Sequence, residues 1–292
     1  MPLESTLGHL LRRAQQAHTA LWTLEFSGDV TGPQIAALTA LVQAGALDQN
    51  TLGQIVSLDK ATTAGVCARL ERDGWIRRVR DPLDARRNAI TPTPATQTSL
   101  RYLWVGVEAV QRALLEPLSL EERPGFVDLL AALAYAGNPP TAPERTDGAT
   151  DARIAHMRLE TTPGHLIRRA EQVHATHWQS HVGSVLTPAQ YGLLTAVATD
   201  ARLDQREAGQ RASLDKSSTS DIVGRLMRRG LLDSEFDPAD RRRKLLRPAA
   251  GTMALLTELE PAVRKVNEIL AEPFSPAELK SLLNQLRRVA YR

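Results

Sequence analysis

The sequence predicts a mainly α-helical fold with small β-hairpins, built as two copies of one unit on a single chain. Three observations predict it: an internal repeat at a fixed offset, helical spacing of apolar residues through most of each copy, and a brief switch to strand-like pattern around an acidic, proline-containing turn. At 292 residues the chain is long enough for two domains at roughly 150 residues each, every one able to bury its own core. With 42% apolar and 24% charged residues it lies in the globular range, which excludes wholesale disorder and fibrous architectures. The longest apolar run, Val127 to Ala136, is about half the roughly 20 residues of a membrane span and contains Asp128, so no transmembrane helix is expected. Met1 to Leu10 lacks a basic cluster ahead of an apolar stretch, so no secretory signal is expected and a cytoplasmic location is. The single cysteine, Cys67, excludes an internal disulfide or a Cys-based metal site. A net charge of +3 leaves nucleic-acid binding open only if the basic groups cluster.

Sliding the sequence by 156 residues aligns the halves without a gap. GHLLRRAQQAHTALW (Gly8 to Trp22) meets GHLIRRAEQVHATHW (Gly164 to Trp178), and SLDK at Ser57 meets SLDK at Ser213. From Glu4 to Ser119, 45 of the 116 aligned positions are identical, and Met1 falls on Met157, as gene fusion would leave it. The boundaries implied are 1–136 for the first copy, 137–156 for a linker rich in Pro, Gly, Thr and charge, and 157–292 for the second copy.

Each element follows from local chemistry. Leu7, Leu10, Ala14, Ala17 and Leu21 mark one face of a first helix, and Ile35, Leu38, Leu41 and Val42 one face of a second. Asp48, flanked by Leu47 and Leu52, caps a third; in the second copy Asp204 and Glu207 make a capping box. Asp59 opens a fourth helix with Thr63, Val66, Cys67 and Leu70 inward, stopping at Gly74. Two short helices across a tight turn make a helix-turn-helix. Trp75 to Arg80 and Arg87 to Thr91 read as strands around Asp81-Pro82-Leu83-Asp84. Two longer helices finish each copy, carrying Leu100, Leu103, Trp104, Val107, Val110 and Leu114, then Phe126, Leu129, Leu130 and Leu133. They are too apolar to stand alone, so copy is expected to pack against copy.

A helix-turn-helix followed by a hairpin is the winged-helix arrangement. SLDKATTAGVCARLERDGWIRRVRDPLDARR resembles the MarR family of ligand-responsive transcription factors, most specifically in the recognition helix running into Gly74 and in the Asp81-Pro82-x-Asp84-x-Arg86 wing. The resemblance covers both copies almost end to end. It implies a homodimer-like architecture in which first and last helices interlock, here as two winged helix-turn-helix domains forming a pseudo-dimer within one chain. It also implies a regulator, most often a repressor, that binds double-stranded DNA and releases it on binding a phenolic or aromatic carboxylate near the first helix.

A helix entering the major groove needs small polar side chains on its exposed face. Lys60, Ala61, Thr62 and Gly65 supply them in the first copy; Lys216, Ser217, Ser218, Ser220 and Asp221 in the second. Past the hairpin tips, Arg86, Arg87, Arg242 and Arg243 are placed to reach phosphates or the minor groove, with pairing of Arg86 to Asp84 and Arg242 to Asp240 as the competing role. The hairpin of the first copy carries +3 and that of the second +1, so the two half-sites are expected to be non-equivalent.

Along the first helix Arg12, Gln15, His18 and Trp22 make a slanted polar and aromatic strip, repeated as Arg168, Glu171, His174 and Trp178. A guanidinium for a carboxylate, an imidazole for a hydroxyl and an indole for a ring face suit a small aromatic acid. Salt-bridge and interface roles compete for the same residues. Tyr191, matched by Ile35, adds a hydroxyl to one pocket only, so unequal ligand affinities are expected. The ligand would favour a spacing of the recognition helices that cannot engage successive major grooves roughly 34 Å apart.

Other readings stay open. His174, His177 and His181 could form a metal-binding face, but the first copy keeps only His18, and neither a cofactor nor a metal site is expected. Cys67, matched by Val223, reads as a small core residue rather than a redox sensor. No phosphate loop, nucleophile motif or paired carboxylates point to an enzyme. The remaining alternative is an effector-binding protein of the same fold acting through protein contacts, and further pairing of pseudo-dimers is open.

Overall fold

The computed structural model describes residues 6–80, 88–136, 158–200, 202–240 and 242–292. The expected linker over 137–156 and the wing-tip residues Arg86 and Arg87 lie outside them. The first copy runs α1 (Leu7–Phe26), α2 (Gly32–Ala44), α3 (Gln49–Val56), α4 (Lys60–Arg72), β1 (Ile76–Arg80), β2 (Asn88–Pro92), α5 (Pro94–Leu114) and α6 (Glu122–Tyr135). The second, after a single 3₁₀ turn at Leu159–Thr161, runs α7 (Pro163–His181), α8 (Pro188–Thr199), α9 (Gln205–Arg211), α10 (Lys216–Arg228), β3 (Leu232–Phe236), β4 (Lys244–Pro248), α11 (Thr252–Ala271) and α12 (Pro276–Ala290).

Caps decide where the helices start. Asp48 accepts from the amides of Asn50 (2.9 Å) and Thr51 (3.1 Å), Asp59 from Thr62 (2.9 Å), and Asp215 from Ser218 (2.9 Å), each satisfying first-turn donors. Thr31 with Gln34, Thr187 with Gln190 and Asp204 with Glu207 close capping boxes. Thr63, Val66, Cys67 and Leu70 are buried on α4. Gly53 of α3 permits the close helix-turn-helix packing, since a Cβ there would crowd the Thr63 hydroxyl. Gly74, at φ 75, turns the chain out of α4 in a conformation open to glycine.

The strands pair antiparallel, Ile76 opposite Pro92 and Leu232 opposite Pro248. The first strand of the first hairpin begins one residue later than its pattern suggests, because the Trp75 amide still bonds the Leu70 carbonyl at 2.9 Å as part of the helix exit. The amide of Ile90 also bonds the Leu47 carbonyl at 2.8 Å, tying the wing to the segment before α3.

The described residues form two compact units that do not coincide with the two sequence copies. Residues up to Gln15 belong with Ala170–Tyr291, and Gln16–Arg169 form the other unit together with Arg292. The division passes inside α1 and α7, so each winged helix incorporates the N-terminal half of the other copy's first helix. In the first unit His9 Nε2 meets the Tyr291 hydroxyl at 3.0 Å, Arg13 lies 4.1 Å over the Tyr291 ring, and its Nε donates to the Ala290 carbonyl at 3.1 Å. In the second the Tyr135 hydroxyl meets His165 Nε2 at 2.8 Å. First and last helices thus interlock inside each unit. The core of the second unit gathers Leu38, Leu41, Leu52, Leu70, Ile90 and Leu100, all fully enclosed. Among the described residues no helix is long and apolar enough to cross a membrane.

Candidate effector pocket and nucleic-acid interface

Within the first unit, α1, α7, α8 and α11 enclose a cavity of about 240 Å³. Its inner wall carries His9 and Arg12 from α1 and His174 and Trp178 from α7; Tyr191 and Thr195 come from α8, and Val263 and Asn267 from α11. Glu260 and Arg264 stand exposed at its rim. The Trp178 indole donates to the Leu186 carbonyl at 2.7 Å, which fixes its plane, and the Tyr191 ring meets it edge-on at 5.5 Å. His174 packs against Gly8, where a Cβ would overlap its ring.

Arg12 reaches in two directions. Its Nη2 donates to the Ala212 carbonyl at 2.9 Å, while its buried Nε has no hydrogen-bond partner among the described residues. Ala212 ends α9, and Ser213, at φ 55, leads through the turn to Asp215, the cap of α10. His9 Nε2 also meets Ser213 Oγ at 3.2 Å. The inner wall of the cavity therefore holds the turn of the helix-turn-helix. Burial weakens the hold of Arg12 on its proton, against the attraction of Glu171, whose own carboxyl burial pushes up. Burial, reinforced by Arg12, takes His9 and His174 down to a pKa of about 4, so both rings are neutral at pH 7.

The strip read from the sequence does not act as one set. Arg12 meets His174 and Trp178 from the other copy, whereas Gln15 lies half-buried on α1 outside the cavity lining. His18, Trp22 and Arg168 belong to the second unit. There His18 meets the Gln111 amide nitrogen at 3.4 Å, and the Trp22 indole donates to Val30 O at 2.7 Å. Arg168 donates to Val56 O at 2.7 Å and Ser57 O at 2.9 Å. Burial lowers His18 to about 4 and Arg168 to about 10. His9, Thr195, Glu260, Arg264 and Asn267 were not anticipated; the contrast of Glu260 with Trp104 across the repeat was the available signal.

On the candidate DNA face Lys60, Ala61 and Thr62 are exposed on α4 and Gly65 is half-exposed; on α10 Lys216, Ser217, Ser220 and Asp221 are exposed. Thr62 and Ser218 also donate their hydroxyls to the capping Asp59 and Asp215, at 2.7 and 2.5 Å. Asp221 is held by Arg225. Arg242 is exposed with its amide on Asp240, whereas Arg243 pairs with Asp204 (3.2 Å) and Glu207 (2.9 Å), anchoring the wing to α9. Cys67 is buried, and burial raises its thiol pKa. Among the described residues no three His, Cys, Asp or Glu side chains converge to hold a metal; His181 Nδ1 meets the His177 main-chain oxygen instead.

Family models described as the MarR family match residues 30–87 and 186–243, the same segment of each copy at the 156-residue offset. The transcriptional regulator HosA of Escherichia coli O111:H- is 33% identical over 136 residues, covering 47% of this chain and all of HosA. This chain belongs to the MarR family. The HTH-type transcriptional repressor NicR of Pseudomonas putida is 29% identical over 139 residues, 45% of this MarR-family chain and 88% of NicR. The crystal structure of the PcaV transcriptional regulator of Streptomyces coelicolor with its natural ligand is 38% identical, at 46% of this chain and 95% of PcaV, with a TM-score of 0.44. The MarR-family segments span the helix-turn-helix and the first strand of each hairpin, while Arg12, His174, Trp178, Glu260 and Asn267 fall outside them.

Proposed function

We propose that this chain is a ligand-responsive, DNA-binding transcriptional regulator, most simply a repressor. Both winged helices read a pseudo-palindromic operator from one polypeptide, and a small aromatic or phenolic carboxylic acid releases it. One observation carries the reading: Arg12 lines the cavity and donates to Ala212 in the turn ahead of recognition helix α10. A ligand carboxylate that engages the spare Nε of Arg12 competes for the guanidinium holding the turn, so binding and recognition-helix position become coupled. The cavity suits one ring, being smaller than the roughly 300–1,000 Å³ of sites for drug-sized ligands. Trp178 offers a ring face, and Tyr191 and Asn267 offer groups for hydroxyls.

The test is binding to the DNA flanking its own gene, followed by fluorescence anisotropy across a salt series and titrated with mono- and dihydroxybenzoates and hydroxycinnamates. Sequence-preferring, salt-sensitive binding released by one of these acids is the expected result. Duplex binding without sequence preference at moderate salt overturns the reading in favour of action through protein contacts.

A further inference from the structure

Every residue lining the cavity of the first unit has a counterpart 156 positions away, and several of the substitutions bear on whether the space stays open. Tyr191 becomes Ile35, Gly192 becomes Ala36, Glu260 becomes Trp104 and Asn267 becomes Gln111. The last three put more carbon where the first unit keeps space or a shorter polar group, while Ile35 replaces a phenol by an aliphatic side chain and Gly32 replaces Pro188 without adding volume. In the second unit Ile35 and Ala36 are buried, and Trp104 is half-buried against the apolar cluster that contains Ile35, Val107 and Leu159. Phe26, where the first unit has Val182, lies over Trp22 with ring centroids 4.6 Å apart. Gln111 spans the remaining gap: its Oε1 accepts from the Gly164 amide at 2.8 Å and its Nε2 meets His18 at 3.4 Å. The arginines differ in the same sense, Arg12 making one bond to the turn and keeping Nε spare, Arg168 bonding two successive turn carbonyls and His165 Nδ1 at 3.1 Å.

We propose that the chain carries a single effector site, in the first unit, and that the equivalent position in the second unit is a filled core that holds its helix-turn-helix in place. The inference rests on the effector reading above and specifies its regulation: one ligand per chain acts on the second winged helix, and the first serves as a ligand-independent DNA anchor. The ligand class is a one-ring hydroxylated carboxylic acid, for which Arg12 supplies the charge partner and Trp178 the ring face.

Isothermal titration of the intact protein with the tightest-binding acid of the hydroxybenzoate and hydroxycinnamate panel reads the stoichiometry. One equivalent per chain is expected; two equivalents overturn the single-site inference while leaving the effector reading standing. No binding by any acid of the panel overturns the effector reading and, with it, the inference. Tryptophan emission separates the two positions, with thermal denaturation checking that each variant folds. Trp178→Phe should remove most of the ligand-induced change and Trp22→Phe should leave it, and the reverse result assigns the ligand to the second unit and overturns the proposal. Replacing Trp104, Gln111 and Ile35 by their counterparts (Trp104→Glu, Gln111→Asn, Ile35→Tyr) should raise the stoichiometry toward two; if that variant fails to fold, the wild-type stoichiometry and the two Trp→Phe proteins still decide.

Discussion

Arg12 Nη2 donates to the main-chain carbonyl of Ala212 at 2.9 Å, across 200 residues of sequence, and so fixes the C-terminus of α9 to the wall of a cavity. Its repeat partner Arg168 spends both terminal nitrogens on the corresponding turn. Equivalent residues therefore hold equivalent turns with unequal reserve.

Arg12→Ala is expected to weaken effector binding by ten-fold or more, in keeping with about 1.5–3 kcal/mol for a hydrogen bond to a charged group. Arg168→Ala is expected to leave effector affinity within about two-fold, while lowering the melting temperature by unpinning Val56 and Ser57. Calorimetric titration and thermal denaturation of the two variants check this, and equal losses of affinity would refute it.

Stability is expected to fall on acidification below pH 6.5. In the unfolded chain histidine titrates near 6.5, whereas in the fold His9, His18 and His174 titrate at about 4 and His165 at about 3, burial being the first cause in each. The folded pKa is the lower one, so the unfolded state binds more protons in this range. The stabilisation is complete above pH 6.5 and drains away as pH falls toward 4. Each histidine contributes at most about 1.4 kcal/mol per pH unit. Melting temperatures measured from pH 7 to 4.5 should decline steadily, and His174→Gln should flatten the curve; an unchanged melting temperature across that range would contradict the buried neutral rings.

Gly8→Ala is expected to destabilise the first unit by about 1–3 kcal/mol, the usual cost of overpacking, because the added methyl overlaps the His174 ring. The displaced ring lines the cavity, so effector affinity should fall as well. Gly164→Ala meets His18 in the same way but should spare the effector site. Denaturant unfolding together with ligand titration distinguishes the two.

The wing arginines should separate by role. Arg242→Ala removes an exposed cation, and the slope of log K against log salt should drop by about 0.9 if that cation meets a phosphate. Arg243→Ala breaks the pairs with Asp204 and Glu207, and its main effect should be a modest fall in melting temperature and in operator selectivity. A footprint of equal strength on both halves of the operator, together with equal salt slopes for wing substitutions in the two copies, would argue against unequal half-sites.

Much of the fold was legible because it is written locally. Capping by Asp48, Asp59 and Asp204, the buried stripe of Thr63, Val66, Cys67 and Leu70 and the exit at Gly74 depend on contacts within a few residues, and the paired strands on a single hairpin. Sequence alone likewise determined the duplication, the resemblance to the family and the small, polar recognition faces. Tertiary structure decided how the helices are shared. Arg12 and Trp22 stand ten residues apart, roughly 15 Å along a helix, too far to grip one small ring, and nothing in either helix says which partner will cross it. The exchange of half-helices supplies that partner, bringing His174 and Trp178 to Arg12. Trp104 packs against the apolar cluster of one unit while Glu260 stays at a rim in the other, and whether such a space is open or filled depends on side chains from helices distant in sequence.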